Sequence, residues 1–163
     1  MKRMLAAMLC AAAMIAAPVA SADPPLEFAQ LKTMISGMGY TPKDLTGETP
    51  KFYIDFATSS FNIPTGFEIS KSGRYIWVTA NLGVSKLNGD LALQVLRKIG
   101  DIQPTSLWIT SKNNLMIGFA IDNRDVTPAH LKFVLDKFSG DIDKTASLWQ
   151  ADPNAPAAGT SGQ

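Results

Sequence analysis

The sequence predicts an α+β domain in the order helix, three strands, helix, two strands, helix, with a five-stranded, mostly antiparallel sheet packed by helices. Three observations predict it. The apolar residues switch from helical spacing to a period of two and back again, twice. The strand-like stretches are joined by short polar turns, which fit antiparallel pairing and leave little room for crossovers. No internal repeat interrupts the pattern.

The first helix is "PLEFAQLKTMISG", residues 25–37, with Phe28, Leu31, Met34 or Ile35, and Met38 on one face and Gly37 and Gly39 as the stop. A loop rich in Pro, Gly and Thr follows. "KFYIDFAT" then sets Phe52, Ile54 and Phe56 against Tyr53, Asp55 and Ala57, the alternation of a half-buried strand. "TGFEIS" is a shorter second strand, and Lys71-Ser72-Gly73 is a hairpin turn. It leads to "RYIWVTANL", with Ile76, Val78, Ala80 and Leu82 facing one way.

Helical spacing returns in "NGDLALQVLRKIGDI". Its stripe is Leu91, Ala92, Val95, Leu96 and Ile99, with Asn88 or Asp90 as cap and Gly100 as terminator. "TSLWIT" and "LMIGFAID" flank a hairpin turn at 111–114. The last helix starts at Pro128, capped by Thr127, and runs to Trp149 through a weak or kinked point at Gly140.

These segments, in particular "SKSGRYIWVTANLG", "LWITSKNNLMIGFAID", "VTPAHLKFVLDKF" and the late Trp149, resemble the YbjN-like family, whose fold is that of the type III secretion chaperones. The resemblance covers residues 26–149. It implies a small protein-binding domain, often a homodimer, with no catalytic residues to carry over. The chain departs from the secretion chaperones in two ways. They are cytosolic and usually acidic, whereas this chain is nearly neutral and starts with an export signal.

That signal is "MKRMLAAMLCAAAMIAAPVASA": a charged start at Lys2 and Arg3, an apolar run from Met4 to Ala17, and Ala20-Ser21-Ala22 before Asp23. The run is too short to span a bilayer, and residues 1–22 read as a secretory leader cleaved after Ala22. The expected location is the periplasm or the exterior. Cleaving 22 of 163 residues leaves 141, with 13 Lys or Arg against 14 Asp or Glu, so the mature charge is −1. One domain, 23–149, holds the core. The near-neutral balance gives no support for nucleic-acid or anionic-membrane binding. Cys10 leaves with the leader, so no disulfide holds the domain together. Residues 150–163, "QADPNAPAAGTSGQ", carry no large apolar side chain and read as a disordered tail.

The stretch "IDNRDVTPAHLKF" gathers the lone histidine, His130, with Asp122, Arg124 and Asp125, and looks like an active site. A structural reading explains it better. Thr127 accepts from the N–H of Ala129 or His130, Pro128 occupies the first helical position, and Val126 and Leu131 have the spacing of a hydrophobic staple. No G-x-S-x-G is present, and no mature cysteine can act as nucleophile. A zinc site would have one histidine and carboxylates only. Asp136, Asp141 and Asp143 lack the spacing of a calcium-binding loop and read as a solvated helix face. "GVSKLNGD" is no phosphate loop. No enzyme and no cofactor is expected.

The aromatic residues stand out instead. With Ile76 and Val78 facing the helices, the opposite sheet face takes Tyr53, Tyr75, Trp77, Trp108 and Met116. Such a patch is either a partner-binding surface or is covered by a helix of the same chain, for example the second, whose Leu93 lies off its main stripe. The expected function is exported, non-enzymatic protein binding. The alternatives are a small-molecule or lipid carrier with those aromatics around a cavity, and, last, an enzyme built on His130, Asp122 and Asp125.

Overall fold

A computed structural model of the protein describes residues 24–47, 50–84 and 89–150. The leader 1–22, the cap candidate Asn88, and all of the tail but Gln150 lie outside the described residues. The elements are α1 (Phe28–Gly37), β1 (Lys43–Leu45), β2 (Lys51–Ala57), β3 (Asn62–Ile69), β4 (Tyr75–Val84), α2 (Gly89–Asp101), β5 (Ser106–Ile109), β6 (Asn114–Asp122) and α3 (Pro128–Trp149). The six strands form one antiparallel sheet in the order β1-β2-β3-β4-β6-β5.

The α+β class and the order of helices hold, with one strand more than the sequence predicts. The additional strand, β1, lies in the loop after α1. Three exposed residues carry no apolar period, and pairing to β2 alone defines it. β3 also begins earlier than the predicted Thr65. Pro64 is accommodated opposite Asp55, one residue beyond the point where β3 begins to pair with β4.

Alternation decides which side of the sheet is the core. Phe52, Ile54 and Phe56, then Phe67, then Ile76, Val78 and Ala80, then Ile117, Phe119 and Ile121 all point to one face and are buried. Leu31 and Ile35 of α1, Val95 of α2, and Leu131, Leu135, Phe138 and Ile142 of α3 join them in a single cluster, so all three helices lie on this side. Phe67 stacks on Phe52 with ring centroids 5.0 Å apart, and Phe28 meets Phe52 edge-on at 5.6 Å.

The helix ends follow their chemistry. Glu27 N–H donates to Gln30 Oε1 at 2.7 Å at the start of α1, and Gly39 turns the chain out of it at φ +92°. Thr127 caps α3 by accepting from His130 N–H at 3.1 Å, with Pro128 at its first position. Gly100, the predicted terminator, lies inside α2, which ends one residue later at Asp101, and α3 runs as one helix through Gly140 to Trp149, as the sequence predicts. Leu96 is 65% exposed rather than part of the buried stripe.

The solvated-face reading of the three aspartates is corrected. Only Asp136 is solvent-facing, paired with Lys132 at 2.9 Å. Asp141 is completely buried. Its Oδ2 accepts from Thr105 Oγ1 at 2.5 Å and from Lys137 Nζ, which also donates to Ile102 C=O at 3.0 Å, so α3 is tied to the segment between α2 and β5. Asp143 accepts from Thr58 Oγ1 at 2.8 Å and Ser59 N–H at 3.2 Å, fastening the β2–β3 turn. Burial opposes its charge, but the Ser59 and Thr58 hydrogen bonds outweigh that and hold its carboxyl below the usual range.

Candidate functional site

The sheet's second face is open. Among the described residues no helix crosses it, since the helices share the core on the other side. It carries the five residues singled out by alternation, and they differ in situation. Tyr75 is exposed and Trp77 is 39% exposed on β4; Trp108 is 36% exposed on β5; Tyr53 on β2 and Met116 on β6 are partly buried. The second helix does not cover them, and its Leu93 faces solvent.

Register places these side chains relative to one another. One row across the sheet is Tyr53, Gly66, Thr79, Gly118 and Ser106. The row on one side holds Lys51, Glu68, Trp77 and Ala120; the row on the other side holds Met116 and Trp108. The middle row is small except at Tyr53, so it forms the floor of a trough across the strands. Trp77 and Trp108 belong to strands two apart, roughly 10 Å across the sheet.

Gly118 lets the two tryptophans share one site. A Cβ added there would sit 2.5 Å from Trp108 Cη2 and 2.6 Å from Cζ3, so the indole lies against the backbone of β6. It thereby reaches toward Trp77. Between them is a depression of about 520 Å³ lined by Glu68, Ser70, Lys71, Trp77, Thr79, Ser106 and Trp108. A smaller hollow of about 80 Å³, with Leu45, Lys51 and Gly66 among its lining, shares Glu68 and Thr79 with it and extends the trough toward β1.

Of the predicted aromatics, only Trp77 and Trp108 line the depression. Tyr53 lies under Lys43, whose Nζ is 5.6 Å from its ring centre, and Tyr75 lies beside Arg74 at 6.0 Å. The polar rim of Glu68, Ser70, Lys71 and Ser106 escaped sequence reasoning. These residues carry no motif and come together only through the register. Glu68 is engaged with Lys51 at 2.7 Å.

The histidine stretch is brought together as structure. Asp122 accepts from Arg124 Nε at 2.8 Å and from Nη2, and the Arg124 side chain holds its carboxyl down from 3.8 to about 2. His130 is exposed on the first turn of α3. The residue at work here is Asn123. Its buried side chain donates to Leu26 C=O at 3.0 Å and Gly73 C=O at 2.9 Å and accepts from Leu26 N–H at 3.2 Å. It clamps the entry to α1, the β3–β4 turn and the exit of β6.

No family model and no curated protein matches the sequence. Solved structures do. A chain of the heterodimeric ExoU–SpcU complex from the type III secretion system of Pseudomonas aeruginosa aligns with a TM-score of 0.51 at 12% identity, covering 74% of this chain and 98% of that one. The fold is type III secretion chaperone-like. An uncharacterized protein from Methanothermobacter thermautotrophicus aligns with a TM-score of 0.55 at 11% identity, over 75% of this chain and 95% of that one. At these identities the likeness is one of fold.

Proposed function

We propose that this chain is an exported, non-enzymatic, chaperone-like protein-binding domain of the YbjN-like family, residues 23–149, and that the open sheet face is its partner surface. The observation that carries the reading is the bare aromatic face, with Tyr75, Trp77 and Trp108 exposed while all three helices pack on the opposite side. Contiguous exposed aromatics of this kind mark interfaces. The fold shared with a chain of the heterodimeric ExoU–SpcU complex supports it. The leader-like start supports a bacterial periplasmic setting, and the self-association common in the resembled family makes a homodimer the expected resting form.

The test is crosslinking in periplasm that expresses the chain, with recovery of its partner. Trp77→Asp and Trp108→Asp, each checked for an unchanged unfolding midpoint, are expected to lose that partner. Retention of the same partner by both variants would remove the open face from the reading.

A second reading has one observation in its favour: the depression of about 520 Å³ between the two indoles is within the size of small-ligand sites. On that reading the protein is a periplasmic carrier of a metabolite or lipid. Mass spectrometry of organic extracts from the purified chain decides it. A stoichiometric compound lost in Trp108→Ala favours the carrier, and clean extracts eliminate it.

A further inference from the structure

The depression between Trp77 and Trp108 holds unused polar groups as well as bare rings. Among the described residues, neither indole N–H donates to a partner, and the Thr79 and Ser106 hydroxyls make no hydrogen bond. Trp149, the third indole of the chain, differs on both counts. Its Nε1–H donates to Thr145 Oγ1 at 3.4 Å, and its ring meets Phe61 edge-on at 4.7 Å. Trp77 and Trp108 thus keep ring surface and N–H donors for something outside the chain.

Charge narrows what that is. Two indoles beside a free carboxylate would suit a cation. Here the carboxylate is Glu68, and Lys51 already matches it at 2.7 Å. Lys71, on the rim of the same depression, is exposed and has no ion-pair partner among the described residues. Lys51 and Lys71 against Glu68 leave one positive charge at the rim, which calls for an anion. Size narrows it further. About 520 Å³ suits a compound of one or two rings. An acyl chain finds no apolar channel here: Ser70 bounds the depression on the β3 side and Ser106 on the β5 side, and toward β1 it narrows to the hollow of about 80 Å³ beside the Glu68–Lys51 pair.

We infer that the depression binds a small aromatic carboxylate, with its ring between Trp77 and Trp108 and its acid group at Lys71. This rests on the small-ligand reading of the depression and names the class of compound. The ring stacks offset on the indoles, as aromatic pairs prefer. Lys71 donates a charge-assisted hydrogen bond to the carboxylate. The indole N–H groups and the Thr79 and Ser106 hydroxyls remain for polar substituents on the ring, so the site can hold it in one orientation.

The probes are naphthoate, naphthalenemethanol and naphthylmethylammonium, which share a ring system and carry negative, no and positive charge. Each is titrated into the purified chain while the indole N–H signals are followed by NMR. Naphthoate is expected to move the signals of Trp77 and Trp108 and to leave that of Trp149 in place. It should bind about fivefold more tightly than the alcohol, and the ammonium compound should bind most weakly. The preference should shrink as salt rises, because Lys71 is exposed. Lys71→Gln should bring naphthoate down to the level of the alcohol without changing the alcohol's affinity, and Lys71→Arg should keep the preference. Trp108→Ala, checked for an unchanged unfolding midpoint, should weaken all three probes by about tenfold.

Equal affinities for the three probes, or a preference for naphthoate that survives Lys71→Gln, overturns the inference; shifts at Trp77 and Trp108 would then still support a small-ligand site. A stoichiometric neutral or cationic compound in the organic extracts likewise keeps the carrier and ends the anionic class. No shift at either Trp77 or Trp108 with any probe ends both.

Discussion

The two faces of the sheet share one backbone, yet their large side chains have opposite fates. On one face Phe52, Ile54, Phe67, Val78 and Ile117 disappear under three helices. On the other, Trp77 and Trp108 stay in solvent around a polar-rimmed trough, and Tyr75 is exposed beside it. Thr65 is fully buried on the helix face while Trp77 is exposed on the open one. Hydrophobicity therefore does not assign a residue to the core here; its parity in the strand does. A face that keeps aromatics exposed without a structural use is a face available for binding.

The comparison breaks most visibly in stability. Phe67→Ala removes a ring stacked inside the helix-covered core and should cost about 3–5 kcal/mol in urea unfolding. Trp77→Ala, on the open face, should cost clearly less than half of that. Equal costs would mean that the open face also carries the fold.

A smaller effect is expected at the clamp below both faces. Asn123→Ala deletes the hydrogen bonds to Leu26 and Gly73 and leaves those backbone groups unpaired, which should cost about 1–3 kcal/mol. Exchange of the Leu26 amide should accelerate with it. His130→Ala, in the exposed first turn of α3, should leave stability within about 0.5 kcal/mol.

Gly118→Ala sharpens the account of the trough. A methyl group 2.5 Å from Trp108 Cη2 must lift the indole off β6, so Trp108 emission should shift red at a cost of about 1–3 kcal/mol. An unchanged spectrum would mean that Trp108 does not lie on the glycine in solution.

The smallest effect concerns pH. Asp122 has a folded pKa of about 2 against an ordinary 3.8, so its contribution is complete above 3.8 and is lost as pH falls toward 2. Arg124→Ala should return the Asp122 carboxyl, followed by NMR, toward its ordinary value. The change in stability should be slight, since the pair is exposed.

Much of this was legible in the sequence, for physical reasons that differ by element. The period-two runs at 51–57 and 75–82 read cleanly because one face of each is buried without exception, and the cap at Thr127 because its chemistry is local. β1 was not legible: three charged or exposed residues acquire strand geometry only from a neighbour. Asn123 was invisible because its partners lie 97 and 50 residues away. Asp141 carried a signal that was not used. It falls three positions after Phe138 and one before Ile142, inside the buried stripe, where a carboxylate needs partners such as Thr105 and Lys137. In the trough, both tryptophans were readable from parity, but Gly118 and the polar rim needed the register.

The most direct test of the central claim is hydroxyl-radical footprinting of the chain alone and in complex with the partner recovered by crosslinking. The account predicts that Trp77 and Trp108 are oxidised readily in the free chain and protected in the complex, while Phe133 on the outer side of α3 stays accessible in both. Protection of Phe133 and Leu96, with Trp77 and Trp108 unchanged, would move the binding surface to the helices and contradict it.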